Sequence, residues 1–128
     1  MRPIKGTVNS VEIIGWLGND PEQRFTPSGI AVTNFSVGTK RYGARQEDGS
    51  WLYETDWIDV EAVDKLAEIV VANLQKGSRV RIMGSLRTDS WQDRDGNPRK
   101  RTFVRADDVL FLDARSTMDE ASIADASE

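Results

Sequence analysis

The side chains best equipped for chemistry in this sequence are arginines and tryptophans at alternating positions. Within the stretch 77–91, Arg79, Arg81, Arg87 and Trp91 fall on odd positions and Val80, Ile82 and Leu86 on even ones. Alternate side chains of an extended strand point to opposite faces. This stretch therefore predicts a strand with an apolar face inward and a basic face, tipped by an indole, outward. The pattern returns at Trp51, Tyr53, Thr55 and Trp57, which share one parity while Ile58, Val60 and Ala62 take the other. An aromatic row usually packs into a core. Here a separate aliphatic set already occupies the opposite face, which frees Trp57 for a ligand. Exposed rings stack on planar groups and guanidinium groups pair with anions, so the two together suit a flexible, negatively charged, base-bearing polymer.

Composition removes other chemistries. The 128 residues include no cysteine and no histidine. Disulfide frameworks, thiolate chemistry, His-based triads and His-ligated zinc are therefore excluded. There is no apolar run of membrane-spanning length and no N-terminal apolar signal region, and the expected setting is cytoplasmic. A net charge of −4 argues against an anionic partner, but its distribution is uneven. Residues 1–106 carry 16 basic against 14 acidic side chains, net +2, whereas residues 107–128 carry 1 against 7, net −6. Binding follows local potential, so a basic face coexists with an acidic total.

The elements that position these residues follow from alternation and turn chemistry. Residues 8–17 predict a first strand with Gly15 at a bend, and 30–40 a second, with Ala31, Thr33, Phe35 and Val37 facing one way. Residues 41–50 are polar, interrupted by glycine and without period, and are expected to form a mobile loop. Residues 51–61 predict the third strand. Residues 64–75 predict the single helix, with Asp64 as N-cap, Leu66, Ile69, Val70 and Leu74 at helical spacing, and Lys76-Gly77 at its end. The strand over 77–91 and a last strand over 101–112 are joined by a hairpin connection at 93–100, where Asp95-Gly96 and Pro98 form the turn. The remaining residues are small and acidic and predict a short disordered tail over 113–128. Three strands, one helix and two strands, with short turns, predict an all-β domain over 1–112. The layout is that of a five-stranded Greek-key OB-fold barrel with one α-helix between strands 3 and 4, a fold that binds oligonucleotides or oligosaccharides across its second and third strands.

Several motifs then fall together in order: Val8-Asn9-Ser10-Val11, Gly15-Trp16-Leu17-Gly18, Asp20-Pro21-Glu22, Thr55-Asp56-Trp57, Lys65-Leu66-Ala67-Glu68, Lys76-Gly77-Ser78 and Gly84-Ser85-Leu86-Arg87-Thr88, with Trp91 after them. In this order and spacing the chain resembles the bacterial single-stranded DNA-binding proteins over about residues 5–112. The resemblance implies binding of single-stranded DNA with little sequence preference, a homotetramer built partly by pairing first strands, and docking of replication and repair proteins by the tail. It implies stacking by Trp57 and Trp91, and phosphate contacts from Arg24, Lys65, Lys76 and Arg87. This sequence departs from the family pattern at Gly43, near a family tryptophan for which Tyr42 is a shifted substitute. It departs also at Val63 in place of a stacking phenylalanine, at Asp89 and Ser90 in place of basic residues, and at Ile58 in place of a histidine. The family's aromatic tail tip is absent from Asp125-Ala126-Ser127-Glu128.

From the residues themselves, Tyr42, Trp51 and Tyr53 would extend the stacking platform, and Arg41, Arg79, Arg81, Arg87, Arg99, Lys100 and Arg101 would track phosphates. Trp16 could face the ligand or a subunit interface, against which it reads as packing on the barrel exterior, and Met83 is expected to make a subunit or surface contact. No cofactor is expected. Two rivals remain. Asp56, Asp59, Glu61 and Asp64 could supply a Mg²⁺ nuclease, against which they read as a solvated strand edge and a helix cap. An OB-fold module for protein interaction, RNA or oligosaccharide is the other.

Overall fold

A computed structural model describes residues 4–113. It contains β1 (Val11–Leu17), β2 (Glu22–Phe25), β3 (Ala31–Arg45), β4 (Trp51–Val63), α1 (Asp64–Asn73), β5 (Arg79–Gln92) and β6 (Pro98–Phe111). The strands hydrogen-bond in the order β1-β5-β6-β4-β3-β2, and β1 also pairs with β3. That extra pairing, Trp16 opposite Gly38 and Leu17 opposite Val37, closes five strands into a barrel. The short β2 adds to the outer edge of β3. All pairs are antiparallel except the brief β4–β6 contact, Val60 opposite Val104 and Glu61 opposite Arg105.

Alternation decides what fills the barrel. Phe35 and Val37 from β3, Val60 and Ala62 from β4, Val80 and Ile82 from β5, Val104 and Ala106 from β6, and Ile13 and Leu17 from β1 form one buried cluster. The helix closes it with Ala67, Val70 and Leu74. Thr33 donates its hydroxyl to the Ala67 carbonyl at 2.9 Å, so this buried hydroxyl is satisfied by the helix.

Several boundaries differ from the sequence reading. Residues 41–45 are not a loop: β3 runs through to Arg45 and pairs with Trp51, Tyr53 and Glu54, with a bulge between Tyr42 and Arg45. Only 46–50 turns, closed by Gln46 and Ser50 and by the Asp48 carboxylate, which accepts from the Ser50 amide and hydroxyl. Ordered strand begins at Val11, where Gly84 first supplies a partner, and Val8 is exposed. Leu86 has the inward parity but is 49% exposed, because beyond it β5 and β6 leave the barrel as a free two-stranded arm. A bulge opposite Met83 and Gly84 shifts the parity of β6, and Leu110, Phe111 and Leu112 end up exposed.

The helix is shorter than its sequence pattern. It ends at Asn73, its N-cap is Val63 without a side-chain cap bond, and Asp64 is its first residue, at φ 59°. Gly77, at φ +92°, lies in the following turn. Ile69 is exposed while Ala67 takes the core position. Of the expected tail, Asp113 accepts the Arg79 amide at 2.9 Å, and the rest lies outside the described residues.

Candidate nucleic-acid interface

The antiparallel register of β3 and β4 stacks a line of rings on the outer face of the barrel. Gly38 lies opposite Trp57, Lys40 opposite Thr55, Tyr42 opposite Tyr53 and Arg45 opposite Trp51. Cross-strand neighbours on one face are close enough to touch. Tyr42 meets Tyr53 at 5.2 Å between ring centroids and Trp51 at 5.7 Å. At the barrel end of the row, Trp57 meets Trp16 edge to face at 5.8 Å. Lys40 joins the two groups, with Nζ 5.6 Å from the Trp16 ring centre and 6.0 Å from that of Tyr53, and Arg45 sits 5.7 Å from Trp51. The result is one continuous strip of aromatic faces interleaved with cations.

Trp57 is 53% exposed, yet it is held in place. Its ring lies over two glycines: a Cβ on Gly18 would come within 2.4 Å of Cζ3, and one on Gly38 within 2.7 Å. Only hydrogen at those two positions lets the indole lie against the backbone.

Trp91 is 48% exposed and lies opposite Arg99 on the β5–β6 arm. The register carries its face across the sheet. Arg87 lies opposite Phe103, Asp89 opposite Arg101, and Ser85 opposite Arg105, which in turn lies beside Glu61 on β4. Trp57 and Trp91 therefore belong to the same sheet face, separated by β6. Arg101 spans the gap: its guanidinium covers the Phe103 ring at 4.4 Å and its Nε lies 4.0 Å from Asp59.

The basic residues divide by environment. Arg41 projects from the face opposite the rings and donates to Asp56 at 2.9 Å and to Glu54 at 2.7 Å. The hydrogen bond to Asp56, then the charges of Asp56 and Glu54, push its pKa up further. Arg81 pairs with Glu12 and Arg99 with Asp93. Lys100, opposite Ser90, has the other parity from Arg99 and Arg101. Lys65 lies in the first turn of α1, Lys76 in the turn after it, and Arg79 opposite Trp16 on β5. Arg87 is exposed on the same face as Trp91.

Arg24 reaches from β2 to Glu61, Nη2 to Oε2 at 3.5 Å. Glu61 is only 4% exposed, on the outer face, where Arg105 donates to its Oε1 at 3.1 and 2.7 Å and Asn34 approaches Oε2 at 3.5 Å. It is not the solvated edge carboxylate that its sequence context predicts. Asp56 and Asp59 lie on opposite faces of β4, and no cluster of three metal-ligating side chains occurs among the described residues.

Sequence reasoning missed Lys40 and Arg45 as members of the strip and left Trp16 open between ligand, subunit interface and exterior packing. A signal for the first existed: Lys40 shares parity with Gly38 and Tyr42. Nothing local placed Trp16, whose position depends on barrel closure.

The single-strand binding protein family model matches residues 8–112. The chain belongs to that family. A curated relative, Single-stranded DNA-binding protein 1 of Synechocystis sp., is 34% identical over 118 residues, covering 91% of this chain and 93% of the relative. Among solved structures, the Plasmodium falciparum SSB complex with single-stranded DNA superimposes with a TM-score of 0.74 at 26% identity, covering 87% of this chain and all of that one. Members of the family bind rather than catalyse, which sets aside the nuclease reading. No helix among the described residues is long and apolar enough to cross a membrane.

Proposed function

We propose that this family member coats single-stranded DNA without strong sequence preference, using the ring strip of β3 and β4 as its stacking platform. The observation that carries this reading is the unbroken sequence Trp57, Trp16, Lys40, Tyr53, Tyr42, Trp51 and Arg45 on one exposed face. Every base has a π-face, so each stack contributes roughly 1–3 kcal/mol whatever the base. Trp91 and Arg87 would take the strand onward along the β5–β6 arm. The domain over 1–112, on this reading a Greek-key OB barrel, binds the strand, and 113–128 forms a separate acidic tail for replication and repair partners.

Self-association fits the same reading. From Val11 to Gly15, β1 pairs with β5 alone among the described strands, leaving its other edge open. Ile14, Met83 and Leu110 are exposed on the face beside it. An open edge next to apolar side chains favours pairing with a second copy, and a homotetramer through first-strand pairing is the assembly we infer. Light scattering on a size-exclusion column measures it.

Tryptophan fluorescence tests the binding. Single-stranded oligonucleotide should quench it saturably, and duplex, RNA and glycan should compete poorly; equal competition by RNA or glycan would support the interaction-module reading instead. The salt dependence carries further information. On the ring face, Lys40, Arg45, Arg79 and Arg87 make no ion pair among the described residues, whereas Arg24, Arg99 and Arg101 are paired with carboxylates. Four unpaired cations at about 0.7 per phosphate give a log–log slope near −3 per chain. A slope near −5, about what all seven would give, would show that the paired arginines release their carboxylates to take phosphates.

A further inference from the structure

Asp59 is an exposed carboxylate on a face built for a polyanion. It follows Trp57 by two residues on β4, shares its face, and its side chain is 58% exposed. It accepts no hydrogen bond among the described residues, and its ionic neighbour Arg101 stands 4.0 Å away, too far for one. A carboxylate there repels phosphate, so its productive partner is a hydrogen-bond donor. The donors that a single strand offers are on the bases. Asp59 and Arg101 lie side by side in the wall of an open cleft of about 250 Å³, lined also by Asn34, Ser36 and a second carboxylate, Glu22. The guanidinium of Arg101 is laid over Phe103, which leaves its in-plane N–H groups for an acceptor.

The cleft thus presents two adjacent acceptor oxygens beside a fork of donors. In a single strand the Watson–Crick edges of the bases are free to be read. Thymine offers one donor, N3–H, and cytosine and adenine offer one amino group each. Guanine alone offers two adjacent donors, N1–H and the 2-amino group, flanked by an acceptor, O6. We propose that Asp59 and Arg101 form a guanine-preferring subsite beside Trp57, with Asp59 accepting from N1–H and the 2-amino group and Arg101 donating to O6. This rests on the single-strand reading above and adds a local base preference to an otherwise tolerant platform.

A bidentate side chain–base pair discriminates by about 1–3 kcal/mol, and an open site belongs at the low end, or about fivefold in affinity. The test uses the full chain and labelled thymine oligonucleotides carrying isolated guanines, with matched versions carrying inosine, which lacks the 2-amino group, or cytosine. Guanine should bind about fivefold tighter than inosine. Asp59→Asn should bring that ratio close to one, with thermal unfolding as the check on the fold. Equal affinity for guanine and inosine in the parent protein overturns the subsite while binding of thymine tracts preserves the platform. A preference for cytosine over guanine, or a guanine preference that survives Asp59→Asn, also overturns it. Failure to bind any of these oligonucleotides removes platform and subsite together.

Discussion

A methyl group placed under the Trp57 ring tests whether that ring is a working part of the platform. Neither Gly18 nor Gly38 has a positive φ, so alanine fits the backbone at both. The obstacle is the indole. An alanine Cβ at Gly18 would lie 2.4 Å from Trp57 Cζ3, about 1 Å inside the 3.4 Å at which ordinary contact begins. The ring is half exposed and has solvent to move into, so Gly18→Ala should tilt it away while the fold survives. Losing a stack altogether costs roughly 1–3 kcal/mol. A misaligned ring forfeits about half of that, a two- to tenfold loss of affinity for a thymine oligonucleotide. Gly15→Ala is the contrast. Its Cβ would lie 2.0 Å from the Gly38 carbonyl oxygen, backbone against backbone, at the seam where β1 closes on β3. Nothing there can swing aside, so this change should cost about 3 kcal/mol or more of stability. Anisotropy of a labelled oligonucleotide measures the first effect and thermal unfolding the second. A double-mutant cycle decides the cause, since Gly18→Ala should have no further effect on affinity once Trp57→Ala has removed the ring. The reasoning fails if Gly18→Ala weakens binding as much without the indole as with it, or if it unfolds the domain as Gly15→Ala does.

Two further changes probe the supporting electrostatics. Glu61→Gln removes the charge that holds Arg105 and Arg24 on the outer face, leaving one largely buried guanidinium without its counter-charge; a loss of about 2 kcal/mol is expected in thermal unfolding, and an unchanged midpoint would show that the two arginines find water instead. At the tip of the β5–β6 arm, the Asn97 amide, followed by Arg99 and the Asp95 amide, holds the Asp93 carboxyl below the usual carboxylate range. A depressed carboxylate contributes stability above its unfolded pKa and loses it as pH falls through the folded value. The turn should therefore stay formed at pH 5 and loosen only below about pH 4, seen in the amide resonances of Gly96 and Asn97. A midpoint at or above the ordinary carboxylate value would contradict these bonds.

How much of this was legible in the sequence depends on range. Parity alone separated Val80 and Ile82, both fully buried, from Arg79 and Arg81, and placed Trp57 opposite the aliphatic set of β4. Parity names a face, but it does not say whether a barrel stands behind it. Leu86 has the right parity and is half exposed because the arm has already left the core. Residues 41–45 show no period, since Gly43 sits in a bulge and the neighbours are polar; their strand conformation is imposed by pairing with β4. The burial of Glu61 was invisible for the same reason. Its partners Arg24 and Arg105 come from 37 and 44 residues away, and a carboxylate with no partner in view reads as solvated.

The point of longest range is also the one on which the site turns. Gly38 lies opposite Trp16 across the seam that closes the barrel and opposite Trp57 across the β3–β4 ladder. Its carbonyl leaves no room for a side chain at Gly15, and its own missing side chain leaves room for the Trp57 ring. Closing the barrel therefore brings Trp16 against Trp57 in the same step, and Lys40, two residues along the same face, then reaches both Trp16 and Tyr53. A chain that failed to close at this pair would keep its alternating strands, its exposed rings and its arginines, but the rings of β1 and β4 would lie apart and the strip would be broken. Assembly of the fold and assembly of the platform are, at Gly38, a single contact.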